Sequence, residues 1–182
     1  SKETSLRPTP IRKPLQLVET QGQVQIHTST FRGSFSIVMS EALRSAGLGS
    51  QVLIAQFLRG GVNQGPNGAI NLCGRLEWLR PAIEKCLPEP ILEKHLSITR
   101  KYEEKAIREL WDFCKARLIS KKIDKIVLDE IGMAINLGFI EENDLIHMIN
   151  NRPSSTDIIL TGPSIPPKVI EMADQITELR CS

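Results

Sequence analysis

The sequence predicts an α/β fold, a three-layer α/β/α sandwich around a mostly parallel sheet. From Gln23 onward, short apolar runs alternate with longer amphipathic stretches, which is typical of βαβ units. Only 4% of the residues are aromatic while 41% are hydrophobic, which favours a core of aliphatic strands and helices over an all-β sandwich. A chain of 182 residues is most simply one domain.

The predicted strands are short apolar runs bounded by polar or turn residues. They cover residues 24–27, 52–57, 123–129, 158–161 and 176–179, with one further short strand at 76–79. The predicted helices cover residues 34–46, 99–119, 142–150 and 167–172. Because parallel strands require right-handed crossover connections, helices are expected on both faces of the sheet.

The N-terminal residues 1–22 differ from the rest of the chain. They carry three prolines, mixed charge and no helical period, so we expect a flexible or surface-draped arm before a domain spanning residues 23–182. They also lack the apolar core of a secretory signal. No apolar run approaches the roughly 20 residues needed to cross a bilayer, so the sequence predicts a cytoplasmic protein.

Charge and cysteine content exclude further classes of protein. The net charge of +2 and pI near 8.4 give no reason to expect nucleic acid or an anionic membrane as a partner. The four cysteines are far apart, without a CxxC pair, so reduced thiols are expected rather than a zinc site or a disulfide framework. The three histidines share no ligand spacing and are expected to be surface or packing residues.

The stretch 24–46 has the order strand, tight turn, helix, which is where nucleotide-binding α/β proteins carry a phosphate loop. A working loop has the pattern G-x-x-x-x-G-K-[ST], with a lysine for the phosphates and a hydroxyl for Mg²⁺. Here Ser29 stands at the first glycine, Ser34 at the lysine and Phe35 at the hydroxyl position, while Gly33 is in place. The pattern therefore predicts a phosphate cradle without the residues that grip a triphosphate.

Some affinity for anions is still expected at this loop. It leads into a helix N-terminus, whose N–H groups and positive dipole end attract phosphate. The polar residues predicted to add binding groups are Thr28, Ser29, Thr30, Arg32, Ser34, Ser36 and, on the next strand end, Arg59. Phe31 and Phe35 oppose binding, because they crowd a place where glycine allows close backbone approach.

In a parallel sheet, ligands bind at the carboxyl ends of the strands. The phosphate loop, residues 56–61 and the pair Asp129–Glu130 are expected to converge there. The acidic pair has two interpretations, a ligand role with Mg²⁺ and a structural role capping the turn at Ile131 and Gly132. Trp111 likewise is either a packing residue of its helix, which is favoured, or a stacking platform for a ligand ring.

Short motifs follow one another along most of the chain. They are T-S-T-F-R-G-S-F-S at 28–36, R-S-A-G at 44–47, A-Q-F-L-R-G at 55–60, P-N-G at 66–68, D-E at 129–130, N-R-P at 151–153, I-L-T-G at 159–162, A-D at 173–174 and T-E-L-R at 177–180. In order and spacing they resemble the motifs of the ATP:corrinoid adenosyltransferases, which move the adenosyl group of ATP onto reduced cobalt in a corrinoid.

The resemblance implies a P-loop NTPase-like (RecA-like) fold, ATP and Mg²⁺ as ligands, and a homodimer. Several positions depart from the family pattern. Ser34 replaces the phosphate-gripping lysine, Phe35 the first hydroxyl residue, Ala69 a glutamate and Pro163 an arginine. The family's N-terminal helix, which helps to cover the ligand in the dimer, is replaced by the proline-bearing arm.

Three functional hypotheses follow from this resemblance. The first is a member that has lost catalysis and serves as a cytoplasmic binding, regulatory or assembly protein, with a protein partner or a second copy, and with weak nucleotide or anion binding. The second is a divergent active enzyme, in which Arg32 replaces the lysine while Ser36, Asp129 and Glu130 hold Mg²⁺, and a corrinoid is the second substrate. The third is another nucleotide-dependent transferase or kinase on the same scaffold.

Overall fold

The computed structural model describes residues 20–30, 36–60, 70–72, 75–83, 97–120 and 122–180. The loop positions 31–35, the tip 61–69 and most of the N-terminal arm lie outside the described residues, so the arm and the domain boundary stay predictions. Gly22 already belongs to the folded domain, because it is buried and its amide donates to the carbonyl of Ser154.

Seven strands form one sheet. They are β1 (Val24–Ser29), β2 (Val52–Gln56), β3 (Ile70–Leu72), β4 (Leu76–Leu79), β5 (Lys125–Asp129), β6 (Asp157–Thr161) and β7 (Gln175–Leu179). Their order is β3-β4-β2-β5-β6-β1-β7. Every neighbouring pair is parallel except β3 with β4. The predicted α/β fold with a mostly parallel sheet, of the P-loop NTPase-like class, is confirmed.

Five helices are described. They are α1 (Ser36–Gly47), α2 (Ser97–Ile119), α3 (Ile131–Asn136), α4 (Glu142–Asn150) and α5 (Pro167–Ile170). The sequence did not predict α3 or β3. Helix α3 follows β5 after a single residue, and periodicity cannot separate a short apolar helix from the apolar strand before it. Strand β3 has only three residues, too few for any periodic signal.

The helices cover both faces of the sheet, as predicted. On one face, α1 packs its buried residues Val38, Ala42 and Ala46 against side chains from β2, β4, β5 and β6. On the other face, buried residues of α2, α3, α4 and α5 share a larger apolar cluster with the alternate residues of the same strands. Successive side chains of a strand point to opposite faces, so every second residue of each strand lies on the α1 face.

Trp111 is a packing residue, which confirms the favoured interpretation. Its side chain is 3% exposed. Its ring meets that of Phe57 edge to face, with the ring centroids 6.0 Å apart. Its indole N–H donates to Asp144 over 2.6 Å. A stacking platform for a ligand would need an accessible ring face, and this one lies in the core between α2 and the sheet.

Two of the short motifs hold the amino end of β1 in place. Asp174, from the A-D pair, accepts a hydrogen bond from the amide of Val24 over 2.8 Å. Arg152, from N-R-P, donates to the carbonyl oxygens of Ile149 and Gly22. These residues lie at the amino ends of the strands, opposite the edge where ligands bind in such sheets, so they serve the fold.

Candidate functional site

A row of polar side chains crosses the α1 face at the carboxyl ends of the strands. The register pairs Gln56 with Asp129, His27 with Thr161 and Thr177 with His27. Hydrogen bonds extend the row, from Thr161 to Asp129 and from Arg80 to Gln56. In sheet order this polar row reads Arg80, Gln56, Asp129, Thr161, His27, Thr177.

Asp129 is the centre of the polar row. It ends β5 and is 0% exposed, and both of its carboxylate oxygens accept hydrogen bonds from neighbouring strands. Oδ2 accepts from Gln56 Nε2 over 3.1 Å, and Oδ1 accepts from Thr161 Oγ1 over 3.0 Å. We expected the acidic pair to lie close to residues 56–61, and Gln56 does contact Asp129.

Groups that can only donate fix the direction of the hydrogen bonds from Gln56 and Thr161 to Asp129. Trp78 Nε1 and Arg80 Nε both donate to Gln56 Oε1, over 2.8 and 2.9 Å, so Nε2 of that amide must point to the carboxylate. The backbone N–H of Glu130 donates to Thr161 Oγ1 over 3.0 Å, so the hydroxyl proton of Thr161 is directed to Asp129. Both carboxylate oxygens thus accept hydrogen bonds from neighbouring side chains, which favours the ionised form of Asp129.

Burial works against that ionised form. The pKa of Asp129 is raised from 3.8 to about 6, chiefly by desolvation and also by the nearby charge of Glu130, while the hydrogen bonds from Thr161 and Gln56 and the charge of Arg59 oppose the rise. Asp129 is therefore a carboxylate at neutral pH and takes up a proton in mild acid. Such a shift, at the ligand-binding edge of a sheet, is common in functional sites.

Glu130 does not cap the helix that follows it. It occupies the N-cap position of α3 with a left-handed backbone (φ 57°), and its side chain makes no capping hydrogen bond. The capping interpretation of the acidic pair is therefore wrong for Glu130. Gly162 lies against it: a Cβ on this glycine would be 3.1 Å from Glu130 Cα. The close approach of the two backbones, together with the positive φ of 115° at Gly162, accounts for the glycine in the I-L-T-G motif.

The predicted anion-binding residues are only partly described. Thr28 is half-buried, Ser29 is buried, and Thr30 is exposed at the end of β1. Ser36 is the exposed first residue of α1, and Arg59 is half-buried after β2. Arg32, Gly33 and Ser34 lie outside the described residues. Since β6 separates β1 from β5, the phosphate loop begins about 10 Å from the strand that carries Asp129.

The family described as ATP:corrinoid adenosyltransferase BtuR/CobO/CobP matches residues 20–182. The chain belongs to this family. It is 26% identical over 165 residues to the corrinoid adenosyltransferase of Escherichia coli (strain K12) and, to the same extent, to corrinoid adenosyltransferase CobA of Salmonella typhimurium (strain LT2). Each alignment covers 91% of this chain and 80% of the relative. The corrinoid adenosyltransferase of Pseudomonas aeruginosa is 24% identical over 169 residues.

Members of this family act on ATP and a corrinoid, and Mg²⁺ commonly accompanies nucleotide phosphates in protein sites. Within the described ranges, no three His, Cys, Asp or Glu side chains are grouped closely enough to hold a metal ion by themselves. Mg²⁺ does not require such a group, since it is commonly bound by one or two carboxylates together with substrate phosphates and water. Asp129 fits that role by its chemistry, because it is a carboxylate at neutral pH and lies at the edge of the sheet where ligands bind.

Sequence reasoning missed three members of this site. Thr161 was noted only as part of a motif, although a polar residue at the end of a buried parallel strand is a usable signal. Arg80 follows the apolar strand β4 in the same way. Trp78 gave no signal, because its position inside a strand predicts packing. Across the part of the chain that is described, no helix is long and apolar enough to cross a membrane.

Proposed function

We propose that this adenosyltransferase relative has lost adenosyl transfer and acts as a binding, regulatory or assembly protein in the cytoplasm. It holds nucleotide or another anion weakly at the carboxyl edge of the sheet, and it acts with a protein partner or a second copy. The observation that carries this proposal is the pair Ser34 and Phe35, which stands where the family has a lysine and a hydroxyl residue.

The chemistry of the family explains why this pair matters. Reduced cobalt of the corrinoid attacks the adenosyl carbon of ATP, the bond from that carbon to the phosphate oxygen breaks, and triphosphate leaves with the electron pair. Negative charge that develops on the leaving group must be stabilised by cations and N–H donors. Losing a single such donor typically lowers the rate by about 10²–10³, and here the lysine and the hydroxyl are both replaced.

What remains supports weak binding. The helix α1 has 12 residues, long enough to present an N-terminal turn with free N–H groups and a positive dipole end toward an anion. Asp129 offers an ionised carboxylate to a divalent cation, and the charge of Arg59 acts on the same place. These groups can hold a phosphate, but they do not replace the lysine that the family pattern places on the leaving triphosphate.

A second candidate is a divergent active ATP:corrinoid adenosyltransferase. The observation that favours it is the network at Asp129, in which Gln56 and Thr161 keep a carboxylate ready at the sheet edge. In this case Arg32 replaces the missing lysine, and Ser36 and Glu130 join Asp129 at the metal.

Calorimetric titration with Mg·ATP tests the proposal. We expect weak binding to the natural chain and binding at least tenfold tighter to the double variant Ser34→Lys, Phe35→Thr. The variant Ser40→Lys adds the same charge at an exposed position of α1 and serves as the control, which should not bind more tightly. Micromolar binding by the natural chain would contradict the proposal. No gain in the double variant would contradict the inherited cradle on which weak binding depends.

A further inference from the structure

We propose that Arg80 recognises an anionic group, a carboxylate or a phosphate, on the periphery of the corrinoid. Its subsite lies at the carboxyl end of β4 and is separate from the phosphate loop. The inference rests on the proposed anion binding at this sheet edge and extends it to a second ligand, a corrinoid, which is the second substrate of the family.

The guanidinium of Arg80 is held in one orientation by two contacts. Its Nε donates to Gln56 Oε1 over 2.9 Å, and its Cζ lies 5.6 Å from the centroid of the Trp78 ring. An arginine that is stacked on an aromatic ring and bonded through Nε loses little further side-chain freedom when it binds a ligand. Its charge is therefore positioned in advance at the edge of the sheet.

The other edge of the same guanidinium is available. Arg80 is half-buried, and no described residue accepts a hydrogen bond from either of its Nη nitrogens or forms an ion pair with it. The two Nη groups present a planar set of N–H donors that matches the oxygen pair of a carboxylate or phosphate.

The position of β4 separates Arg80 from the nucleotide phosphates. In the sheet order, β4 and β1 are four places apart, which is about 19 Å at the usual strand spacing, and β5 lies halfway between them. Arg80 thus lies on the opposite side of Asp129 from the phosphate loop, where a second ligand can occupy the same edge of the sheet.

The experiment compares three corrinoids that differ in their anionic groups. Cobyrinic acid carries free peripheral carboxylates, cobalamin carries amides and one phosphodiester, and cobinamide carries amides without a phosphate. We expect the natural chain to bind cobyrinic acid or cobalamin more tightly than cobinamide, as measured by absorbance titration. Which of the two is preferred identifies the recognised group as carboxylate or phosphate.

Substitutions at Arg80 test whether this residue causes the preference for an anionic corrinoid. Arg80→Gln should weaken binding of the preferred corrinoid by about tenfold, the effect of losing a charge-assisted hydrogen bond, and leave cobinamide binding unchanged. Arg80→Lys should retain part of the preference, because it keeps the charge. Arg75→Gln, which removes an exposed arginine just before the amino end of β4, is the matched control and should change nothing.

Three outcomes would overturn the inference. They are equal losses for all three corrinoids in Arg80→Gln, a loss of inorganic triphosphate binding in that variant, and no corrinoid binding by a natural chain that binds Mg·ATP. The last leaves the proposed weak nucleotide binding intact. Conversely, absence of Mg·ATP binding in both the natural chain and the Ser34→Lys, Phe35→Thr variant would count against the proposed function without affecting corrinoid selectivity. Thermal unfolding midpoints confirm that each variant is folded.

Discussion

The carboxyl ends of β1 and β5 lie two strands apart on one edge of the sheet, and they differ in what their residues do. At the end of β5, Asp129 is bonded to two neighbouring strands through Gln56 and Thr161. After β1, the sequence has Ser34 and Phe35 at the positions where the phosphate-loop pattern has a lysine for the phosphates and a hydroxyl for Mg²⁺. Asp129 therefore also stabilises the fold. The lysine and hydroxyl residue of the family's loop are present for the ligand. An intact Asp129 is therefore weaker evidence for catalysis than an intact loop would be.

The largest expected effect tests whether the hydrogen bonds at the carboxyl end of β5 stabilise the fold. Thr161→Val removes a buried hydroxyl that accepts from the Glu130 amide and donates to Asp129, so both of these buried hydrogen bonds are lost. We expect a loss of about 3 kcal/mol in the free energy of unfolding, measured by chemical denaturation.

Thr177→Val is the control for that substitution, because Thr177 is an exposed member of the same polar row. It should change the free energy of unfolding by less than about 0.5 kcal/mol. Equal small losses in the two variants would show that the bridge from Glu130 to Asp129 does not stabilise the sheet edge.

A somewhat smaller effect should appear in the pH dependence of stability. Burial raises the pKa of Asp129 to about 6, above its ordinary value of 3.8, so between these values the folded state holds a proton that the unfolded state has released. The contribution of Asp129 to the free energy of unfolding is fully present below pH 4 and is lost as the pH rises through 6. The loss of unfolding free energy between pH 4 and pH 7 should be on the order of 2 kcal/mol.

The variant Asp129→Asn isolates this contribution, because it does not titrate. The difference in unfolding free energy between the natural chain and the variant should change between pH 4 and pH 7 in favour of the variant. A difference that stays constant over this range would show that burial does not shift the pKa of Asp129.

The smallest effect concerns the loop end. Ser36→Ala removes the hydroxyl that could replace the family's Mg²⁺ ligand, at an exposed position of α1. We expect less than a twofold change in Mg·ATP affinity, and less than about 0.5 kcal/mol in stability, as for most exposed substitutions. If Ser36→Ala abolished Mg²⁺-dependent binding of ATP, the loop would still hold the metal. The loop after β1 and the carboxyl end of β5 would then not differ in the way described above.

Much of the fold followed from the sequence because each long element carries its own periodic signal. Helix α4 and strand β4 were predicted at the bounds they have in the structure. The site was less accessible. The polar row depends on which strands are neighbours, and the insertion of β6 between β5 and β1 brings Thr161 beside Asp129. No local pattern encodes that order, so a polar residue at a strand end could mark Thr161 and Arg80 as candidates but could not show that they meet Asp129 and Gln56.

The most direct test of the account is an adenosyl transfer assay with chemically reduced cobalamin and Mg·ATP, followed by the absorbance of the cobalt–carbon product. The account predicts no product above the protein-free background for the natural chain, under conditions where the Escherichia coli relative turns over. Catalytic formation of adenosylcobalamin by the natural chain, abolished in Asp129→Asn, would contradict the claim that transfer has been lost and would establish an active enzyme.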